Sequence, residues 1–154
     1  MSDDSDAMDT EQTLRTLATA LRLQAESLLT MTYLAGSLRG LAGMGVKAEL
    51  RRFVMAELED TYLLVEKYSA LGGMPEVSTP KIVVDPAAET AIDALIDLER
   101  RGLAALHAVI AHTGQEPRSE ALEHLLEHII MRKQQQVDQL CHASGRTTPL
   151  GDDD

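Results

Sequence analysis

Aromatic side chains are nearly missing from this chain: Trp is absent, there is one Phe and three Tyr, and together they make up 3% of 154 residues. Sheets draw heavily on aromatic and β-branched residues, so an interior built instead from Leu, Ala, Ile, Val and Met points to helices. Cysteine is limited to Cys141, which excludes an internal disulfide and removes a common mark of exported domains. Long apolar runs are missing too, because Arg, Glu or Thr interrupts each one before it reaches the length of a membrane span. With no charged-then-apolar leader either, the expected location is the cytoplasm, with no membrane partner. Basic residues are scarce, 14 Lys and Arg against 25 Asp and Glu, for a net charge of -11. Without a clustered basic face, nucleic acid is not an expected partner.

What is present is one domain's worth of chain, 44% hydrophobic and interrupted by five Pro. Asp3, Asp4, Asp6 and Asp9 at one end and Asp152, Asp153 and Asp154 at the other supply much of the negative charge. They define a disordered acidic tail over 1–9 and a flexible tail over 142–154, with a bundle between them at 10–141. Helical patterning predicts a first helix from about Thr10, capped by Asp9, to about Gly40, where the glycines at 40, 43 and 45 end it. A second runs from about Lys47 to Leu71 and stops at Gly72-Gly73. Asp85-Pro86 predicts the start of a third, reaching about His112, and Pro117 opens a fourth that reaches about Cys141.

The link from Gly72 to Pro86 is fifteen residues long. Extended, it spans ~50 Å, while a 25-residue helix is ~37 Å long, so the link can return along the full bundle. Helices two and three can then be parallel. The predicted fold is all-α: a four-helix bundle of two antiparallel hairpins joined by one long crossover.

Steps of three and four residues trace an apolar seam on each helix, and each seam carries a polar interruption near its middle. The first reads Leu14, Leu17, Leu21, Gln24, Leu28, Met31, Ala35; the second Leu50, Val54, Glu57, Thr61, Leu64, Tyr68, Leu71. The third reads Ala88, Ile92, Leu95, Glu99, Gly102, Leu106, Val109, and the fourth Leu122, Leu126, Ile129, Lys133, Gln136, Leu140. Counted from the expected helix ends, the polar groups lie within ~5 Å of one height at 1.5 Å per residue. Asp60, one turn after Glu57, can lean into the same layer. Buried carboxylates need a compensating proton, cation or donors. Two cations are available: a metal ion, for which carboxylates from several helices are the common bundle ligands, or the Lys133 ammonium itself.

This pattern resembles the ferritin-like superfamily, and bacterioferritin within it, over roughly Leu14 to Leu140. Ala70-Leu71-Gly72-Gly73-Met74-Pro75 resembles the end of that family's second helix and sets the register. The resemblance implies that Glu57 stands at the second-helix Glu of the di-iron site and Glu99 at the third-helix Glu, in Leu98-Glu99. Gln24 takes the first-helix Glu position in an ungapped pairing, whereas a gapped pairing selects Glu26. Asp60 stands where the second-helix His belongs, and Lys133 and Gln136 stand where the fourth-helix Glu and His belong. Two divalent cations would thus meet an added positive charge and lack both histidines, so no standard ferroxidase centre and no resident cofactor are expected. Leu58 holds the position of the haem-ligating Met, so haem is not expected either, and Met55 reads as packing or interface.

His124 and His128 are spaced for one metal but face away from the fourth seam and read as surface. His107 and His112 have no assignable partner. Cys141 lacks a second Cys or an activating base. The first helix is apolar almost all round, with Leu23, Leu34 and Leu41 off its seam, and predicts self-association. The reading is a bacterioferritin-like homo-oligomer linked to iron handling, its di-iron site degenerated into a Glu57–Lys133–Glu99 cluster. The assembly is left open between a closed shell, co-assembly with another ferritin-like subunit and a small dimer. Two alternatives stand beside it. One is an atypical iron-binding site of Glu57, Asp60, Glu99 and Gln24 or Glu26, with Lys133 swung outward; the other is a metal-free interaction module whose polar layer fixes helix register.

Overall fold

The structure, a computed structural model, describes residues 7–145. It contains four helices: α1 (Thr10–Ser37), α2 (Gly40–Ala70), α3 (Ala88–Ile110) and α4 (Pro117–Ala143). Asp9 caps α1 as its sequence position predicts, Oδ1 accepting the Gln12 N–H at 3.1 Å. The chain is already tied down at that point. The Asp9 N–H donates to the His112 carbonyl at 3.0 Å, the Thr13 hydroxyl donates to the same oxygen at 3.0 Å, and Met8 is buried. The bundle therefore includes residues assigned to the acidic tail; the rest of both tails, 1–6 and 146–154, lies outside the described residues.

Helix direction follows from one contact. Arg39, just before α2, and Ala87, just before α3, form a parallel bridge, with the Arg39 N–H donating to the Pro86 carbonyl at 3.2 Å. Both helices start at the same end of the bundle, so α2 and α3 are parallel and the hairpins α1–α2 and α3–α4 are joined by a crossover, as predicted. α1 packs against both α2 and α3, and α4 against both α3 and α2. The crossover runs the length of α1: Met74–Glu76 lie beside Ala18 and Arg22, Ser78–Pro80 beside Leu23 and Glu26, and Ile82 and Val84 beside Leu29 and Tyr33.

Two helix starts differ from expectation. α2 begins at Gly40, so Gly43 and Gly45 lie inside it rather than ending α1. Gly40 turns the corner at φ +80°, and a Cβ on Gly43 would sit 3.3 Å from the Leu38 carbonyl carbon, so glycine permits a short hairpin here. α3 begins at Ala88, with Asp85 and Pro86 just outside it; the Asp85 carboxylate instead accepts the Ala87 N–H at 2.9 Å in the turn before. The Gly72-Gly73 stop and Pro117 in the first turn of α4 are as predicted.

The seams on α3 and α4 are buried as read, apart from Ala88, which is half-buried at the start of α3. On α1 and α2 the buried face is rotated by about one residue: Thr13, Ala20, Ser27 and Leu34 replace Leu14, Leu21, Leu28 and Ala35, and Phe53 and Asp60 replace Val54 and Thr61. α1 has two helical neighbours, so its buried face centres between them and not on its most apolar stripe.

Candidate functional site

The core is two apolar clusters, one either side of a polar layer. Met31, Leu50, Leu95 and Leu140 belong to the first; Leu17, Leu64, Leu106 and Leu126 to the second. Between them lie the buried side chains of Gln24 and Ser27 from α1, Glu57 and Asp60 from α2, Glu99 from α3, and Lys133 and Gln136 from α4. All four helices thus deliver polar groups to one level, as their interrupted seams predict.

Lys133 is the centre of the layer. Its side chain is 1% exposed, and Nζ donates to Glu57 Oε1 at 2.8 Å and to Glu99 Oε2 at 2.7 Å. The remaining oxygen of each carboxylate faces α1: Gln24 Nε2 donates to Glu57 Oε2, and the Ser27 hydroxyl donates to Glu99 Oε1. Every carboxylate oxygen of the pair therefore has a donor. Gly102, one turn after Glu99, makes room for the lysine stem; a Cβ there would lie 3.7 Å from Lys133 Cδ and Cε. A second pair stands beside the first, where Arg132 Nη1 donates to Asp60 Oδ1 at 2.9 Å and Nη2 lies 2.7 Å from His128 Nε2.

Charge explains the titration behaviour. Glu57, Glu99 and Lys133 carry a net charge of minus one when all are ionised, and all three are buried. Burial pushes the Glu57 carboxyl up to about 7, with Lys133 opposing the shift and Glu99 adding to it. Burial alone would depress Lys133, but the carboxylates of Glu99 and Glu57 outweigh it and raise the ammonium above its ordinary value. Both shifts have one cause: two buried carboxylates around one ammonium hold the amine in its charged form and raise the proton affinity of Glu57. Asp60 is raised as well, by burial against the pull of Arg132.

Gln24 occupies the layer and Glu26 does not; Glu26 sits under the crossover beside Ser78 and Thr79. His124 and His128 are exposed, as expected, His107 is exposed too, and Cys141 is buried in the first cluster. Ser27 and Arg132 went unrecognised in the sequence. Ser27 is one turn from Gln24, and Arg132 precedes Lys133, so helical spacing held a signal for both. Gln136 reaches the layer, yet its Oε1 is buried without a hydrogen-bond partner among the described residues.

The donor set does not fit a pair of divalent cations. The ammonium stands between the two carboxylates that would bridge them, and no histidine enters the layer. Among the described residues, no group of three or more His, Cys, Asp or Glu is arranged to hold a metal ion. The same residues also contain no helix long and apolar enough to cross a membrane.

No family model and no curated protein matches the chain. Solved structures do match it. A ferritin-like, diiron-carboxylate protein from Bacillus anthracis str. Ames superposes with a TM-score of 0.77 at 16% identity, over 91% of this chain and 96% of that one. A dodecameric thioferritin, the bacterioferritin-related protein from Bacteroides fragilis, does so with a TM-score of 0.79 at 13% identity, over 90% and 87%. The chain has the ferritin-like four-helix fold.

Proposed function

We propose that this protein is an oligomeric, bacterioferritin-like subunit linked to iron handling, in which an internal ion pair has replaced the di-iron centre and no ferroxidase chemistry remains. The observation that carries this reading is the Lys133 ammonium, buried and hydrogen-bonded to both Glu57 and Glu99. The cluster then acts as a structural joint across α2, α3 and α4, and the chain contributes scaffold to an assembly. Support for iron handling and assembly comes from the fold's relatives: one is described as a diiron-carboxylate protein and another as a dodecameric thioferritin. A metal site with Lys133 swung outward would require breaking both of its hydrogen bonds and exposing a wholly buried side chain.

Anaerobic addition of Fe(II) to the purified protein, followed by oxygen, is the test. The expected result is oxidation no faster than in buffer; rapid oxidation in fixed ratio to protein overturns the reading.

A further inference from the structure

α1, expected to be the greasy helix, is mostly hidden: Leu34 is buried and Leu23 lies under the crossover, while Leu41 belongs to α2. The chemistry that the central ion pair leaves unused lies instead between α2 and α4. Asp60 is 2% exposed, and its ion-pair partner is Arg132, whose Nη1 also points to the Ala56 carbonyl at 3.4 Å. The guanidinium, 30% exposed, closes this corner over the carboxylate. What holds it there from the solvent side is His128, one turn earlier on α4, with Nε2 2.7 Å from Arg132 Nη2.

Arginine has N–H donors, no acceptor and a permanent charge. So short a contact is a hydrogen bond only when His128 Nε2 carries a lone pair, which makes the imidazole neutral with its proton on Nδ1. A second proton on the ring sets N–H against N–H and cation against cation, so the two groups must part. His128 is exposed, and that proton arrives directly from solution. The charged groups around the corner are Asp60 and the exposed Glu59 from α2, and behind them Lys133, held by Glu57 of α2 and Glu99 of α3. On α4 itself, His124 and Glu127 lie within a turn of the ring, both exposed. Asp60 attracts the charged imidazole as it does the guanidinium, and of the two cations the arginine has the longer reach to water.

We propose that His128 is an acid-operated latch: neutral, it fixes Arg132 over Asp60; protonated, it displaces the guanidinium into water and opens the α2–α4 side of the polar layer. Histidine changes charge between about pH 5 and 8, so the corner is closed in mild alkali and open in mild acid. This goes beyond the reading of the layer as a metal-free joint and is tested apart from it, because the latch works whether Glu57 and Glu99 hold a lysine or an ion. Asp60, whose carboxyl burial raises, loosens the same pair when it takes up a proton, so variants are compared at one pH.

Carbodiimide-driven labelling of carboxyls with glycine ethyl ester, read by peptide mass spectrometry on the full chain, reports whether Asp60 is covered. Wild type is compared with His128→Gln, whose amide oxygen accepts from Arg132 at any pH, and with His128→Lys, which stays charged. Both changes fall at an exposed position, and far-UV circular dichroism confirms helix content. At about pH 5, wild type and His128→Lys should label Asp60 roughly tenfold faster than His128→Gln. At about pH 8, wild type should match His128→Gln, His128→Lys alone should remain fast, and imidazole ¹⁵N NMR of wild type should place the His128 proton on Nδ1. Wild type no faster than His128→Gln in acid, His128→Lys as slow as wild type in alkali, or a neutral ring protonated on Nε2 would overturn the proposal.

Discussion

Lys133 and Glu99 meet across the α3–α4 interface with Nζ 2.7 Å from Oε2, and neither side chain is more than 1% exposed. Glu57 completes the bridge from α2. Three helices therefore share one positive charge, and disturbing that charge has consequences on all of them.

Removing the cation alone is costly. Lys133→Met leaves two carboxyls facing each other in the core and should lower unfolding free energy by about 3–5 kcal/mol. Replacing the whole cluster, with Glu57→Gln and Glu99→Gln added to Lys133→Met, should recover most of that loss. Urea unfolding of the single and triple variants checks both statements; equal losses in the two would mean that the cost is packing, not unpaired charge.

The raised Glu57 carboxyl predicts a pH dependence with a definite sign. A carboxyl raised from 4.5 to about 7 binds its proton more tightly folded than unfolded. Its contribution is therefore fully present below pH 4.5 and disappears as pH rises to about 7, amounting to about 3 kcal/mol. Asp60, also raised, acts in the same direction. The ammonium, raised above 10.5, keeps its stabilising contribution throughout this range and loses it only in stronger alkali. Glu57→Gln should flatten the wild-type fall in stability between pH 4.5 and 7, measured by denaturant titration at each pH. Parallel curves for the two proteins would count against a raised Glu57 carboxyl.

Reversing the substitutions should create the site that the ammonium excludes. Gln24→Glu with Lys133→Glu and Gln136→His puts acids and an imidazole around Glu57 and Glu99. The triple variant should bind Fe(II) or Co(II) at micromolar affinity or better by calorimetry, and wild type should give no heat. Metal bound equally by both would show that Lys133 is not what keeps ions out.

Gly102 sets a size limit on the layer. Ala fits, since its Cβ meets the Lys133 stem at ordinary contact distance, and the gain in helix propensity should add roughly 0.5–1 kcal/mol. Gly102→Leu fills the lysine's path and should cost about 1–3 kcal/mol. Thermal unfolding of both variants separates these outcomes.

The orphaned oxygen of Gln136 makes the opposite prediction from most core polar groups. Gln136→Leu removes a buried acceptor that has no partner and should leave stability unchanged or raise it by about 1 kcal/mol. A loss above 2 kcal/mol would show that this amide does make a bond.

Much of this architecture was legible in the residues. The period of α3 and α4 places Glu99, Lys133 and Gln136 correctly, because the apolar residues on either side of them define one narrow stripe on each helix. The length of the 72–86 link gave the parallel arrangement of α2 and α3. On α1 the stripe was too broad to fix the rotation, so Leu28 was chosen over Ser27 and the donor to Glu99 was missed. The α1–α2 corner differs from the reading because three glycines ordinarily break helices; here Gly40 turns the corner and Gly43 admits a close approach to Leu38 that only backbone coordinates reveal. Arg132 was hidden by its neighbour, since a single charged step on a helix does not say which of two cations turns inward.

The extended strap between α2 and α3 runs over the outside of the bundle, with Val77 and Val83 open to solvent and Val84 packed on the core, and it stitches together hairpins that already interlock through α1 and α4. Cutting it should leave two halves that hold each other in place. The molecule is thus divisible at that seam, and its halves, made separately, are suited to finding one another and rebuilding the whole.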